Sequence, residues 1–519
     1  MTSAAEPTQV ASSRTRQRLA LAVLTMPVLL ISMDATILGF AVPDLSESMQ
    51  PTSSELLWII DIYSFVVAGL LVTMGNIGDR IGRRRLLMIG AAGFGAASVL
   101  AAFATTPPEL IAARALLGVA GATLLPSTLS LIHNVFVEPR RRQMAIAVWA
   151  AMFAVGSAAG PIVGGILLEH FWWGSVFLVG VPLTVALLFA APRLVPESKD
   201  PDPGPFDVQS AALSVLTTLP AVYAVKHLAE SGPSTAVIGG VLVSGIAGAA
   251  FFHRQRSLAV PMIDVSLFGL PRFRAAITGN VVACFGLAGS MFFITQYLQL
   301  VVGLSPVRAG LLLLPGAAGA IVMTLRAPGL AQRFGAFRVS ACGLAVGAVG
   351  LVLLAMVDAG GNAWLATLAV LVINGGFSPA MAVAIDGIIG SVPPAKAGAG
   401  ASVSETGNEL GIALGTALLG SILSARYRAR FDGAADIPAT ALGEARETLG
   451  AAHLAADGLR GPAGDRLREL ADAAFIDGVR VACIVAAALA FGAAALVARA
   501  ARHVEPTAEL EPSRAEAHR

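Results

Sequence analysis

Four carboxylic acids lie inside long apolar stretches of the chain, where acidic side chains are rare. Asp34 stands in SMDATILGFAVP and Asp61 in WIIDIYS, while Glu405 and Glu409 both stand in SETGNELGIALG. A charge inside a bilayer is expensive, and burial therefore favours the protonated form of a carboxyl group. Such groups can take up and release a proton near physiological pH. A purely structural role is the alternative for each of them.

Glu405 and Glu409 form a pair, because residues four apart lie on one face of a helix. Two neighbouring carboxylates disfavour double ionisation, so the pair can hold one proton and one charge. Glu409 lies about 11 residues into its span, roughly 16 Å at 1.5 Å per residue, near the middle of a core of ~30 Å. We expect the pair to attract cations from the cytoplasmic side, with Glu409 the deeper contact. Structural bonds to arginine or backbone are the alternative.

Arg114 and a small set of aromatic residues complete the chemistry inside the spans. An arginine inside a span rarely faces lipid, so we expect Arg114 to be the electrostatic partner of a protonatable group, or one half of a structural ion pair. Aromatic residues make up only 6% of the chain, and aromatic faces beside carboxylates suit lipophilic cations. Lipid contact or packing is the alternative for each. The aromatic candidates are Trp58, Tyr63, Trp149, Phe153, Phe285, Phe292, Phe293, Tyr297 and Phe377.

The segment GNIGDRIGRRR at 75–85 contains a Gly-Asp-Arg-x-Gly-Arg pattern. This pattern is more specific than a loop that only connects two spans would require. Gly78 and Gly82 permit a tight turn between helix ends, and Asp79 can cap or pair near a helix terminus. The arginines can pair with acidic groups of a neighbouring helix, and such a charged latch would hold one conformation closed. A solvated positive loop is the alternative. The predicted latch residues are Gly75, Asp79, Arg80, Gly82 and Arg83.

The segment GSAAGPIVGG places three glycines, Gly156, Gly160 and Gly164, at intervals of four residues on one helix face. A smooth face allows a second helix to approach closely. Pro161 adds a kink, and Gly165 belongs to the same motif. Ordinary packing of small residues is the alternative.

Composition shows which elements must position these residues. Apolar residues make up 56% of the 519 and charged residues 13%, against about 45–50% and 25% in soluble domains. The apolar runs have helical length without period-2 alternation, which predicts an all-α membrane protein rather than a barrel. The fourteen spans lie at about 19–43, 55–75, 86–104, 109–134, 142–168, 174–192, 208–228, 235–252, 275–302, 306–326, 337–357, 363–387, 398–425 and 476–498.

Basic residues alternate between the loops. Arginines cluster before the first span and after the second, fourth and eighth, whereas DLSESMQPTSSE, TTPPE and DAGGN have no basic residue. The positive-inside rule therefore predicts that both termini are cytoplasmic. The long external loop 426–475 is expected to form a hairpin of two short helices at 440–458 and 465–474.

A weak internal repeat indicates the domain organisation. GDRIG at 78–82 recurs as AQRFG at 331–335, each after the second of six spans. Parallel repeats of six helices are the build of major facilitator transporters. We therefore expect a cytoplasmic tail, a six-helix bundle, two inserted helices, a second six-helix bundle containing the external hairpin, and a second cytoplasmic tail. Their bounds are 1–18, 19–192, 208–252, 275–498 and 503–519.

Several function classes are disfavoured. The net charge of +2 gives no reason to expect a nucleic-acid partner, and three cysteines, an odd number, imply no disulfide framework. The chain has no GxxxxGK[ST] loop, no metal-ligand spacing and no nucleophile–base constellation. An ATP motor, a resident metal or cofactor and a membrane enzyme are therefore not expected.

Together these motifs resemble the 14-helix drug:proton antiporters of the major facilitator superfamily, and among them the multidrug and quaternary-ammonium exporters. GDRIGRRR resembles the loop between helices 2 and 3, and Arg114 with Gly118 and Gly121 resembles the helix 4 motif. GSAAGPIVGG resembles the helix 5 motif of antiporters. The resemblance implies that Asp34 and Asp61 couple protons or contact cations. The chain departs from the family in one respect. Some relatives that export divalent cations have an acidic residue in helix 10, whereas this chain has Met323 in that region.

The predicted function is proton-driven export of lipophilic, mainly cationic, compounds across a cytoplasmic membrane by rocking of two bundles around a central cavity. Its partners are small-molecule substrates, protons and lipid, with a monomer expected and no cofactor beyond the proton gradient. A dedicated exporter of one metabolite, lipid or antibiotic is the alternative within transport. A non-transporting membrane sensor is the alternative from another class.

Overall fold

The computed structural model describes residues 14–51, 53–200, 207–232, 234–258, 261–262, 265–304, 306–392, 397–431, 439–446, 448–459 and 462–502. Within these ranges all regular structure is helical. The predicted cytoplasmic tails lie largely outside them.

Seventeen α-helices occur in the described ranges, and fourteen of the segments are long and apolar enough to cross a membrane, as predicted. The sixth span consists of two helices in succession, α6 and α7. A 3-10 turn covers Val265–Gly269 and a π-helical turn covers Tyr297–Val301. The helices are α1 (Arg14–Met49), α2 (Ser53–Ile81), α3 (Arg83–Ala102), α4 (Pro107–Val135), α5 (Pro139–His170), α6 (Ser175–Leu178), α7 (Gly180–Leu194), α8 (Val208–Ser231), α9 (Thr235–Ser257), α10 (Pro271–Gln296), α11 (Pro306–Phe334), α12 (Ala336–Ala355), α13 (Ala363–Ile389), α14 (Ala397–Arg430), α15 (Ala439–Ala445), α16 (Leu449–Gly458) and α17 (Pro462–Arg502).

The weak repeat has a structural counterpart in two glycine turns. Gly82 separates α2 from α3 with φ of 108°, and Gly335 separates α11 from α12 with φ of 90°. Both values lie in the region that favours glycine. The second and third spans of each predicted bundle are therefore joined by the same one-residue turn.

The internal contacts divide the chain into two compact units. The first comprises residues 1–206 with 393–402. Within it α1 packs on α5, α7 and α4, while α4 also packs on α2 and α3. Fully buried leucines, among them Leu24, Leu87 and Leu117, form its core.

The second unit comprises residues 207–392 with 403–519. Within it α13 packs on α10, α11 and α12, and α17 packs on α10 and α12. Its core includes Phe293, Leu344 and Phe377. The inserted helices α8 and α9 fall in this unit.

Hydrogen bonds between polar side chains join the two inserted helices, α8 and α9, at one end of the pair. Asp207 caps α8 by accepting hydrogen bonds from the N–H groups of Gln209 and Ser210, which leaves its carboxylate in reach of α9. Arg254 donates two hydrogen bonds to that carboxylate, each 2.9 Å long. These bonds from Arg254 hold the pKa of Asp207 below its ordinary value. Gln255, almost completely buried, donates to Ser210 Oγ at 2.7 Å.

The loop 426–475 differs from its predicted form in the residues that the structure describes. The stretch predicted as one helix at 440–458 is two helices, because Thr448 caps a new helix, α16, by accepting from Ala451 N–H. The predicted second helix at 465–474 is continuous with the last span in α17. No glycine or proline interrupts residues 465–477, so nothing ends the helix before the bilayer. Residues 432–438, 447, 460 and 461 lie outside the described ranges.

Candidate functional site

The buried ion pair of Asp34 and Arg114 lies at the centre of the first unit. Arg114 Nη1 on α4 donates to Asp34 Oδ2 on α1 at 2.7 Å. Both residues are buried, at 8% and 2% exposure. Arg114 Nε also donates to the carbonyl oxygen of Ile59 on α2 at 3.1 Å, and the guanidinium carbon lies 5.0 Å from the centre of the Tyr63 ring. The two residues are thus in direct contact, and α1, α2 and α4 meet at this group.

Two glycines of α4 allow the close approach of α2. A Cβ added to Gly118 would lie 2.8 Å from both the carbonyl oxygen of Tyr63 and Cβ of Val66. A Cβ added to Gly121 would lie 2.8 Å from the hydroxyl oxygen of Tyr63. Because Tyr63 fits against these glycines, its ring reaches Arg114. The predicted aromatic residue Tyr63 therefore belongs to the ion-pair site.

The other candidates of the first unit have different surroundings. Asp61 lies on α2, but its side chain is outside what the structure describes, so its role stays a prediction. Trp149 is fully buried and donates from Nε1 to Thr128 Oγ1 at 3.1 Å, and its ring meets that of Phe153 edge-on at 5.3 Å. Trp58 is 39% exposed.

The glycine face of α5 packs against α1, the helix that carries Asp34. A Cβ added to Gly156 would lie 1.9 Å from Ser32 Oγ, and one added to Gly160 would lie 2.0 Å from Thr36 Oγ1. A Cβ added to Gly164 would lie 2.7 Å from Ile37 Cγ1, whereas a Cβ on Gly165 would meet nothing within 4 Å. Three of the four predicted glycines thus form the α1–α5 contact, and the fourth does not. Pro161 is helical, and its side chain is not among those described.

The predicted latch segment is an ordered polar cluster. Arg83, only 1% exposed, donates from Nε to Asp79 Oδ1 at 2.7 Å. Its Nη1 donates to Ser198 Oγ at 3.2 Å, and its backbone N–H donates to the Ser198 carbonyl oxygen at 2.8 Å. The backbone N–H of Asp200 donates to the Asp79 carbonyl oxygen at 2.7 Å. The segment after α7 therefore lies against the turn between α2 and α3.

Glu197 lies in this segment after the end of α7, whereas the arginines were expected to pair with acidic groups on a neighbouring helix. Its Oε1 accepts from the backbone N–H of Arg84 at 2.9 Å, close to the start of α3, where a negative charge is favourable. A Cβ on Gly82 would lie 2.7 Å from the Glu197 carboxyl carbon. Glycine is therefore needed at this position both because a side chain has no room and because φ is positive. The predicted residues Gly75 and Arg80 lie in the last turns of α2.

The acidic pair of the second unit lies on α14 beside a buried amide network. Glu405 is 2% exposed, whereas Glu409 is only partly buried. Asn408 follows Glu405 by three residues and so lies on the same face of α14. Asn280 on α10 donates from Nδ2 to Asn408 Oδ1 at 2.7 Å and to the Ser404 carbonyl oxygen at 3.2 Å. The pair thus consists of one enclosed and one more accessible carboxyl group.

The aromatic candidates of the second unit mostly fill its core. Phe377 is fully buried against glycines of α10 and α12, since a Cβ on Gly286 or Gly347 would lie 2.4 Å from its ring atoms. Tyr297 is 1% exposed and donates from its hydroxyl to the Asp358 carbonyl oxygen at 3.1 Å. Phe292 is 44% exposed. Phe285 and Phe293 belong to the same core. Their contact with substrate stays a prediction.

Sequence reasoning missed four polar residues that these sites use. Asn408 follows Glu405 by three residues and so shares its face, which is a readable signal. Glu197 and Ser198 stand in a short polar stretch directly after the sixth span. Asn280 is an isolated amide in an apolar helix, a type of residue that marks a buried hydrogen bond. Among the described residues no group of three or more His, Cys, Asp and Glu side chains is placed to hold a metal ion.

The fold and this pattern of buried charges define a polytopic membrane transporter. Residues 26–416 match the Major Facilitator Superfamily, and the chain belongs to that family. It is 47% identical over 490 residues to the multidrug efflux pump LfrA of Mycolicibacterium smegmatis, covering 94% of this chain and 97% of the relative.

Further relatives agree with this assignment. The chain is 35% identical over 462 residues to the methyl viologen resistance protein SmvA of Salmonella typhimurium, covering 89% and 93% of the two chains. The solved structure of the human organic anion transporter MFSD10 shares the fold, with a TM-score of 0.61 at 12% identity over 93% of this chain and 99% of that one.

Proposed function

We propose that the protein is a proton-driven multidrug antiporter that exports lipophilic, mainly cationic, compounds from the cytoplasm. The ion pair of Asp34 and Arg114 carries the proposal. A carboxylate and a guanidinium 2.7 Å apart inside an apolar unit are expensive to desolvate unless they are paired. The similarity to a multidrug efflux pump and to a methyl viologen resistance protein supports the transport part of the proposal.

Protonation of Asp34 supplies the coupling step. The proton neutralises the carboxylate, so Arg114 loses its charge partner and keeps its contacts with the Ile59 carbonyl oxygen and with the rings of Tyr63 and Phe177. Because α1, α2 and α4 meet at this group, the change in charge alters the relative stability of arrangements of these three helices. Asp61 is proposed to act with Asp34 in proton transfer and to contact cations.

The acidic pair on α14 supplies the preference for cations. Glu409 is the more accessible carboxyl group and is proposed to contact the substrate, with Glu405 behind it. Exchange of more than one proton for each monovalent cation moves net charge inward, and moving one charge through 100 mV is worth roughly 2.3 kcal/mol. The pH gradient and the membrane potential then both drive export, whereas one-for-one exchange moves no net charge and is driven by the pH gradient alone. The aromatic candidates Trp58, Phe153 and Phe292 retain exposed ring surface for contact with such cations.

The cluster around Asp79 and Arg83 is proposed as the conformational latch. Its bonds join α2, α3 and the segment after α7, so breaking them changes conformational populations rather than substrate contacts. We place the protein in the cytoplasmic membrane with both termini in the cytoplasm, as a monomer that uses the proton gradient and no cofactor.

A comparison of two substitutions tests the proposal. Glu409→Gln is expected to weaken ethidium transport several-fold while a neutral substrate is unaffected. Asp34→Asn is expected to abolish proton-driven transport of both. The two variants are measured at matched expression under an imposed pH gradient. Equal losses for both substrates in Glu409→Gln would remove the cation claim, and wild-type rates in Asp34→Asn would remove the coupling claim.

A further inference from the structure

The helix α16 of the loop 426–475 lies against the start of α17 through a small interface that is rich in alanine. Leu449, Ala452 and Ala456 of α16 are buried, and so are Leu467 and Ala471 of α17. Alanine side chains bury little apolar surface, so the hydrophobic contribution of this contact is small. Polar side chains at the edge of the interface therefore have a large share in holding the two helices together.

Four charged or titratable side chains form two pairs across that interface. His453 Nε2 lies 2.7 Å from Asp472 Oδ1, and Arg468 donates to Asp457 Oδ1. The two residues on each helix are four apart and so share a face, and the order of the pairs shows that the helices run antiparallel. We call His453, Asp457, Arg468 and Asp472 the hairpin charge cluster.

The charges of the hairpin charge cluster balance only when His453 is protonated. Two carboxylates lie beside one guanidinium and one imidazole, so a neutral imidazole leaves one negative charge in excess. Because a carboxylate oxygen can only accept, Nε2 keeps its hydrogen in both states and the second proton enters at Nδ1. Protonation therefore retains the hydrogen bond and makes it charge-assisted, which roughly doubles its strength. The side chains of His453 and Asp472 are only 16% and 15% exposed, so solvent screens this attraction weakly.

Other titratable groups of the neighbouring elements are bonded elsewhere or face solvent. Tyr427 of α14 and Tyr297 of the π-helical turn donate to backbone carbonyl oxygens, and so does Arg446 directly after α15. The side chain of Glu444 on α15 lies outside what the structure describes. Near the cluster, α17 also carries three exposed charged residues: Asp465, Arg466 and Glu469. Among the described groups at this contact, His453 is thus of the one type whose charge ordinarily changes between about pH 5 and pH 8.

We propose that the hairpin charge cluster is a pH-responsive contact, which holds α16 against α17 more firmly as the surrounding pH falls from about 8 to about 5. Protonation of His453 supplies the missing positive charge, so the added stabilisation is present at the acid end of this range and is lost as the pH rises. The predicted topology places the loop outside the cell, so the cluster responds to external pH. An acid exterior also energises the proposed antiport, and this link alone rests on the proposed function.

Hydrogen–deuterium exchange of the purified full chain measures the contact directly. The protection of the α16 amides is compared between wild type and His453→Gln at about pH 5.5 and about pH 8; the ratio at each pH cancels the intrinsic pH dependence of exchange. A partly exposed ion pair changes an equilibrium constant by about two- to fivefold. The ratio of wild type to variant is therefore expected to be larger by this factor at the lower pH, and Asp472→Asn is expected to give the same pattern. Equal ratios at the two pH values in His453→Gln would overturn the proposal.

Arg468→Gln is the matched control, because Arg468 pairs between the same two helices and keeps its charge throughout this range. It is expected to lower protection of α16 by about the same factor at both pH values. A pH-dependent factor as large as that of His453→Gln would overturn the assignment of the response to His453. Exchange does not depend on transport, so a failure of the proposed function leaves this result unaffected.

The side of the membrane is tested separately at Leu454, which is 75% exposed on α16. Leu454→Cys is treated with a membrane-impermeant maleimide in intact cells, with the parent chain as the control for its own cysteines. Labelling of the variant above the parent is expected. Labelling only after the cells are lysed would overturn the response to external pH.

Discussion

Removing one charge from the Asp34–Arg114 pair is expected to destabilise the first unit as well as to abolish coupling. Asp34→Asn leaves the guanidinium of Arg114 buried at 2% exposure with its carboxylate partner gone. Breaking such a pair from one side typically costs about 3–5 kcal/mol. Arg114 keeps its bond to the Ile59 carbonyl oxygen and its contact with Tyr63, so we expect the lower end, about 3 kcal/mol. For a unit of this size that lowers the unfolding midpoint by about 6–12 °C.

The double variant Asp34→Asn/Arg114→Gln separates stability from coupling. Replacing both members of a buried ion pair is often neutral, and the glutamine amide introduced in place of Arg114 can still donate to the Ile59 carbonyl oxygen. The unfolding midpoint is therefore expected to return to within a few degrees of the wild-type value. Proton-driven efflux is expected to stay absent, because the protonatable carboxyl group is still missing.

The assay combines thermal unfolding in detergent with ethidium transport in reconstituted vesicles for the wild type and the two variants. A single variant as stable as the wild type would refute the buried-charge reasoning. Proton-driven transport at the wild-type rate in the double variant would refute the coupling role of the pair.

Three further predictions concern the latch, the glycine seam and the inserted helices. Asp79→Ala is expected to lower the turnover rate several-fold with little change in ethidium affinity; unchanged turnover at normal expression would contradict the latch. Gly160→Ala forces a Cβ to within 2.0 Å of a hydroxyl oxygen on α1 and is expected to cost about 1–3 kcal/mol. Gly165→Ala, which meets nothing within 4 Å, is its control, and equal effects on the unfolding midpoint would sink the packing argument. Since bonding to Arg254 lowers the pKa of Asp207, its stabilisation is full above about pH 4 and declines at lower pH. The midpoint difference between wild type and Asp207→Asn should therefore shrink from about pH 7 to about pH 3, and a difference that grows would contradict this.

Features that depend on local sequence were predictable. Fourteen apolar runs gave fourteen helices long enough to cross a membrane, because helix formation in a bilayer depends mainly on length and hydrophobicity. The turn was predicted from Gly78 and Gly82, and φ of 108° at Gly82 agrees, whereas Gly78 lies within α2. The smooth face of α5 followed from glycines at intervals of four, whereas the identity of α1 as its partner did not.

Features that depend on distant pairs were not predictable from one chain. Asp34 and Arg114 were each identified as costly in lipid, but their pairing spans 80 residues. Glu197 accepts from Arg84, 113 residues away in the chain, and the residues next to Glu197 in the sequence do not indicate that partner. The helix predicted at 465–474 was expected to be separate from the last span, although residues 465–477 contain no glycine or proline that would end it before that span.

The most direct test of proton-driven export is ethidium transport by the purified protein in vesicles with an imposed pH gradient. We predict that ethidium moves against the direction of proton flow, that reversing the gradient reverses its movement, and that a protonophore abolishes it. Ethidium movement at the same rate without a gradient, or in the presence of the protonophore, would contradict the account.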